Sequence, residues 1–187
     1  MDDTQLEDLR VAIYRRFADQ ATAPSPAQLA LELGHREDAV RDGLRRLAAV
    51  RHIVVDSVEH AVMAHPFASI PLGFSVMGSA KLWWGGCAWD SFAMPHLLPN
   101  DPSVLVATIC PGCGRPHAWV VGREQPPVGD QVAHFLVPAL HIWDDVVHTC
   151  ANQRLFCSPA CVGDWLASTG NARGYTMDFA TLWRLAQ

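Results

Sequence analysis

Cys87 and Asp90 stand three residues apart in Trp83-Trp84-Gly85-Gly86-Cys87-Ala88-Trp89-Asp90, and a second thiol, Cys150, follows far downstream in His148-Thr149-Cys150-Ala151-Asn152. Residues three apart share a helix face, so a thiol and a carboxyl at this spacing can exchange a proton. Cys150 would complete a two-sulfur clamp beside that acid. Two thiolates suit a soft, low-coordinate metal ion, and each becomes a ligand only by losing its proton. Asp90 could accept such a proton and hand it to a departing carbanion, which is general acid–base work. An apolar surround would raise its pKa and favour the sharing. Spacing alone leaves a plainer reading open: a buried core cysteine near an N-capping aspartate.

The other four cysteines fall into two pairs. Cys110-Pro111-Gly112-Cys113-Gly114 is a C-x-x-C knuckle around a proline–glycine turn, and Cys157-Ser158-Pro159-Ala160-Cys161 is a C-x-x-x-C pair ahead of a helix. Tetrahedral zinc takes four thiolates from two such pairs. A structural zinc at Cys110, Cys113, Cys157 and Cys161 would leave Cys87 and Cys150 as the reactive pair, so four structural and two reactive thiols account for all six cysteines. Two other readings stay open: Cys110 as a lone structural cysteine among buried thiols, or a Cys110/Cys113 redox dithiol, for which no thioredoxin-like context is visible. His117, just after the knuckle, could replace one sulfur. His134, His141 and His148 recur every seven residues, but across strand and loop, and read as scattered core or surface histidines. There is no H-E-x-x-H, no G-x-S-x-G and no glycine-rich phosphate loop.

The chain has 187 residues, half of them apolar and 18% charged, with a formal net charge of −5. That composition buries a real core and gives no basic footprint for a phosphate backbone. No stretch approaches the ~20 apolar residues of a membrane-spanning helix. Met1-Asp2-Asp3-Thr4 lacks the basic-then-apolar pattern of a signal peptide. The expected location is the cytoplasm, where six cysteines serve metals or catalysis rather than disulfides.

These residues must be positioned by an α+β fold. Residues 1–62 read as a winged helix-turn-helix-like module. Leu6, Leu9, Ile13 and Phe17 fall on one helical face; Ser25 and Pro26 open a second helix that Gly34 stops; Val40, Leu44 and Leu47 line a third, over 35–50, before a strand at Ile53-Val54-Val55. The third helix carries Arg36, Arg41, Arg45 and Arg46 diluted by Glu37, Asp38 and Asp42, and residues 1–50 hold nine acidic against seven basic side chains. A structural or protein-contact role is expected rather than DNA binding. Residues 63–81, rich in proline and glycine, read as a linker. Residues 82–187 read as a mixed β-sheet domain with flanking helices, with strands at 104–109, 118–121 and 131–136, a helix around Asp164-Trp165-Leu166 and another at 178–186. Trp83, Trp84 and Trp89 flank Cys87, either as an apolar wall for a ligand or as ordinary core.

The run Leu82-Trp83-Trp84-Gly85-Gly86-Cys87-Ala88-Trp89-Asp90-Ser91-Phe92-Ala93-Met94-Pro95-His96-Leu97 resembles the catalytic segment of the organomercurial (alkylmercury) lyases, in which an aromatic-rich strand leads into Cys-Ala-x-Asp and a proline-containing helix. Cys150 through Phe156 to Asp164-Trp165 resembles the family's second motif. The resemblance implies protonolysis of a carbon–mercury bond to a hydrocarbon and Hg(II), with Cys87 and Cys150 binding mercury and Asp90 shuttling the proton. It implies no cofactor for catalysis, an organomercurial small molecule as substrate, and small thiols or a mercuric reductase as acceptors of Hg(II). Nucleic acid and membrane are not expected partners. Three departures from the family pattern stand out, the largest being the excess of cysteines formed by the two pairs described above. Ala151 follows Cys150 where a further cysteine is frequent, and Trp83-Trp84-Gly85-Gly86 is bulkier and then looser than usual. Alternative readings are a non-enzymatic winged-helix protein that binds or senses a soft ion, and a lyase-fold paralogue acting on another substrate.

Overall fold

Helix α1 (Asp3–Gln20) starts where Asp2 accepts from the Gln5 backbone N–H while the Gln5 side chain accepts from that of Asp2. This reciprocal capping satisfies two donors that a helix start leaves orphaned. Helix α2 (Pro26–Leu33) is capped by Ser25, has proline in its first turn, and ends at Gly34 in the left-handed region. Helix α3 covers Glu37–Ala49, shorter than the 35–50 expected, because Arg36 is extended and offers no side-chain cap. Leu9, Ile13, Phe17, Leu29, Val40, Leu44 and Leu47 form the shared core of the three helices. Strands β1 (Val54–Val55), β2 (Ala61–Ala64) and β3 (Phe67–Ala68) follow as an antiparallel ribbon.

The computed structural model describes all residues, Met1–Gln187, and the chain divides into two units, Met1–Ile70 and Pro71–Gln187. The stretch read as a linker is not featureless: it carries β3 and the next strand, with Pro66 and Pro71 lying outside both, where their missing N–H breaks no ladder. In the first unit the arginines in α3 and just before it are engaged by acids. Arg41 pairs with Glu37 and Glu59, Arg45 with Glu59 and Asp42, Arg36 with Asp38, and Arg46 with Asp3.

The second unit has two antiparallel sheets. One runs β5-β4-β6-β7, from β4 (Phe74–Met77), β5 (Leu82–Gly85), β6 (Ser103–Ile109) and β7 (Pro116–Gly122). The other runs β10-β8-β9, from β8 (Val132–Phe135), β9 (Gln153–Phe156) and β10 (Tyr175–Asp178). Helix α4 (Ala88–Leu97) connects β5 to β6, α5 (Val146–Ala151) leads into β9, α6 (Pro159–Thr169) follows it, and α7 (Phe179–Ala186) closes the chain. No helix is long and apolar enough to cross a membrane.

Helix α4 is held at both ends. Pro95 sits inside it, and the Arg123 guanidinium donates to the Pro95 and Leu98 carbonyls, which the helix end leaves without intrahelical donors. Along its length Phe92 packs on Phe179 of α7 with ring centroids 5.6 Å apart, and the Trp89 indole N–H donates to the Leu185 carbonyl at 2.8 Å. Two aromatic contacts to the last helix therefore fix the segment that begins with Cys87.

Candidate functional site

Strand β5 alternates, so Trp83 points into the core and Trp84 outward. The chain then turns through Gly86 into α4, with Cys87 as its N-cap in extended conformation. The thiol does the capping: Cys87 Sγ accepts from the Asp90 N–H at 3.4 Å. The plainer sequence reading, an aspartate cap beside a cysteine, has the roles reversed. Because the sulfur occupies that N–H, the Asp90 side chain is left to turn elsewhere. The Ser91 hydroxyl donates to the Cys87 carbonyl at 2.7 Å and sits so close to Gly85 that a Cβ there would lie 2.1 Å from its oxygen. Glycine at 85 is thus what lets the strand pass the first turn of α4.

The third residue arrives from another element. Helix α5 is capped by Asp145, which accepts from the His148 N–H, and carries Cys150 in its last turn. The Cys150 thiol donates to Asp90 Oδ2 over 3.7 Å, across 60 residues of sequence. Cys87 is fully enclosed, Cys150 is 4% exposed and Asp90 8%. Burial, a hydrogen bond with Cys150 and the neighbouring Asp90 charge push the Cys87 thiol well above its ordinary pKa, against a smaller opposite pull from the Asp90 N–H. Cys87 is therefore a neutral thiol at physiological pH, and binding a metal must displace its proton. The structure thus brings Cys87, Asp90 and Cys150 into one buried cluster.

The remaining four cysteines form a second cluster. The ligand sulfurs of Cys110, Cys113, Cys157 and Cys161 all lie within 4.8 Å of one another. The knuckle is tied by Gly114 N–H to the Cys110 carbonyl and by Cys110 N–H to the Arg115 carbonyl, both at 2.9 Å. Cys157 follows β9 directly, and Cys161 lies in the first turn of α6, whose cap Ser158 accepts from the Cys161 N–H. An N–H from Arg115 and thiol donors led by Cys157 hold the exposed Cys113 thiol down to about 7, while burial and Cys113 push Cys157 up to about 12. His117 Nε2 lies 3.0 Å from Cys157 Sγ, and its ring stacks on Trp119. The imidazole supports a sulfur from outside the four-sulfur set.

The other sequence candidates disperse. Asp164 is exposed on α6, while Trp165 packs on Phe156 and on the buried His134. His134 Nε2 accepts from the Gly174 N–H, and burial holds its pKa below the ordinary value. His141 pairs with Asp144 at 2.8 Å. A cavity of about 740 Å³, lined among others by Trp89, Phe135, Ile142, Tyr175, Met177 and Leu185, lies beside α4. Sequence reasoning passed over Ser91, Ser158 and Arg154. Only Ser158 had a legible signal, the Ser-Pro that opens a helix.

Comparison with known proteins gives one family, from a family model, and a shared fold, from a solved structure. The family model for alkylmercury lyase matches residues 67–187. The fold is similar to that in a crystal structure of the mercury-bound form of MerB2, with a TM-score of 0.71 and 16% identity, covering 100% of this chain and 89% of that one. No curated protein sequence matches it.

Proposed function

The chain belongs to the alkylmercury lyase family, enzymes that cleave carbon–mercury bonds, and on that premise we propose that Cys87, Cys150 and Asp90 carry the reaction. The observation that bears most weight is the sealed trio itself: two thiols beside one carboxyl group, with little solvent access. For a substrate R–Hg–X, where X is the thiolate of a small thiol, one cysteine replaces X on mercury. Its proton passes through Asp90 and leaves with X as the free thiol. The second cysteine then bonds to mercury, and its proton passes through Asp90 to the carbon. The C–Hg bond breaks, a C–H bond forms, and mercury stays divalent throughout, so the step needs no oxidant, reductant or redox cofactor.

Each residue has a physical reason for its part. Cys150 already donates to the carboxylate that would receive its proton. The raised pKa of Cys87 keeps a proton in store until mercury binds, and mercury then acidifies the thiol it touches. Two sulfurs push electron density onto mercury and make the bound carbon basic enough to protonate. The low exposure of the cluster favours delivery of that proton to carbon over its loss to water. Trp89, next in sequence to Asp90, lines the apolar cavity beside α4 and offers a wall for the organic group.

The wider reading follows from the same chemistry. Small thiols or a mercuric reductase would remove Hg(II), because a buried dithiolate releases it only to competing sulfur. Reduced thiols suit the cytoplasm. The first unit, three helices and a β-ribbon, fits a winged-helix-like module in a protein-contact role, since the arginines in α3 and just before it are spent on Glu37, Asp38, Asp42, Glu59 and Asp3. Incubation with an arylmercurial and excess small thiol in D₂O should release hydrocarbon carrying one deuterium per molecule. Mercury bound with no hydrocarbon released would overturn the proposal.

A further inference from the structure

The reaction outlined above uses two of the six cysteines, and the other four remain without a role. We propose that Cys110, Cys113, Cys157 and Cys161 form a closed tetrathiolate zinc site that braces the strand leading from the catalytic pocket. The ligand geometry carries the inference. Tetrahedral zinc with Zn–S of about 2.3 Å places its sulfurs about 3.8 Å apart, and these four all lie within 4.8 Å of one another, with Cys113 and Cys157 at 3.3 Å. Four thiols from two distant segments have little reason to converge this tightly without a shared cation.

The surroundings are those of a metal site. Gly112 faces the Cys161 carbonyl so closely that a Cβ would lie 2.2 Å from its oxygen, so the knuckle reaches α6 only because residue 112 has no side chain. The Cys157 N–H donates to Cys110 Sγ at 3.4 Å, as donors that orient metal-bound sulfur do, and His117 Nε2 lies 3.0 Å from Cys157 Sγ. Four thiolates around Zn²⁺ leave two net negative charges. The half-buried Arg154 guanidinium, which lies within electrostatic reach of Cys110, offsets part of them. Cys110 and Phe156 share an apolar cluster with Val162 and Leu166. No ligand position is left open, which marks a structural rather than a catalytic zinc.

Position gives the site its consequence. Only Asn152 and strand β9, Gln153–Phe156, separate the end of the Cys150 helix from Cys157. Fixing Cys157 in a metal therefore fixes the exit of the segment that carries Cys150. This last clause rests on the catalytic reading of Cys150; the zinc site itself does not.

The test separates the two. The Cys87→Ser/Cys150→Ser double variant removes the mercury thiols and leaves the cluster. Purified under reducing conditions, it should contain one zinc per chain by elemental analysis. After exchange it should bind one Co²⁺ with the intense sulfur-to-metal charge-transfer and tetrahedral ligand-field bands of a thiolate site. Adding Cys113→Ser or Cys161→Ser should weaken Co²⁺ binding at least tenfold. Stripping zinc from the otherwise unaltered protein should lower its melting temperature and its turnover together, and zinc should restore both. A metal-free double variant that binds no Co²⁺, a Cys113–Cys157 disulfide, or iron at the site would overturn the zinc assignment. Zinc present while hydrocarbon release is absent would instead sink the catalytic reading and leave the metal site standing.

Discussion

The second unit holds two clusters of sulfur built on opposite plans. Around Cys87 and Cys150 there are two thiols, one carboxylate and almost no solvent contact. Around Cys110, Cys113, Cys157 and Cys161 there are four thiols, no carboxylate, and an edge at Cys113 open to solvent. On the catalytic reading the first cluster would leave a soft metal under-coordinated and supply a proton beside it, which are the requirements for breaking a metal–carbon bond. The second would saturate its metal and supply nothing to transfer. Same ligand type, different company: the number of sulfurs and the presence of an acid would separate the proposed reactive centre from the proposed brace.

The largest expected effects break that comparison directly. Cys87→Ser and Cys150→Ser should each reduce organomercurial turnover to background while changing the melting temperature little, since serine nearly fills the same space. Cys113→Ser should do the reverse in character: melting temperature and turnover fall together, and added zinc rescues neither fully. Parallel thermal melts and hydrocarbon assays distinguish the patterns, and a Cys113→Ser enzyme with unchanged melting would erase the distinction. Next in size is Gly112→Ala. Its methyl must push the knuckle from the Cys161 carbonyl, a strain of about 1–3 kcal/mol, read as a lowered denaturation midpoint.

A pH effect sharpens the comparison from the other side. The folded-state pKa of Cys87 is raised above the ordinary thiol value of 9.0, so the folded protein keeps a proton that the unfolded chain gives up. Its stabilising contribution is complete below the unfolded pKa and is lost as pH rises from there through the folded value. Denaturation midpoints should therefore fall above about pH 9, and Cys87→Ala should flatten that fall. An equal slope in both proteins would remove Cys87 as its cause. The smallest expected effect is at Trp89, where alanine would remove part of the apolar wall and the bond to Leu185. KM for an arylmercurial should rise several-fold, corresponding to roughly 1 kcal/mol, with a smaller rise for a methylmercurial.

The sequence was most legible where a local signal sits beside its effect. Ser25-Pro26 and Gly34 mark α2 because capping, proline placement and left-handed glycine act within one turn. The α+β class and the strands over 103–109, 116–122 and 132–135 could be read from their β-branched runs and bounding turns. Strands β9 and β10 were not foreseen: each is four residues long, and each forms only because β8 lies between them. Helix α5, six residues, is too short to show a period. At the site, the Cys87-x-x-Asp90 spacing was visible, but not that the thiol would cap the helix, since cysteine is not among the favoured capping residues. Nor could any local pattern bring Cys150 to Asp90. That approach depends on α5 and β9 docking beside α4, which is tertiary packing.

The central claim is that Asp90 moves the proton between the paired thiols and the leaving carbon. Single-turnover release of hydrocarbon from an arylmercurial, measured for the unaltered enzyme and for Asp90→Asn at equal mercury occupancy, tests it most directly. Loss of general acid–base function should slow release by about 10²–10⁴-fold while Cys87 and Cys150 still bind one mercury. Release at an unchanged rate in Asp90→Asn would contradict it.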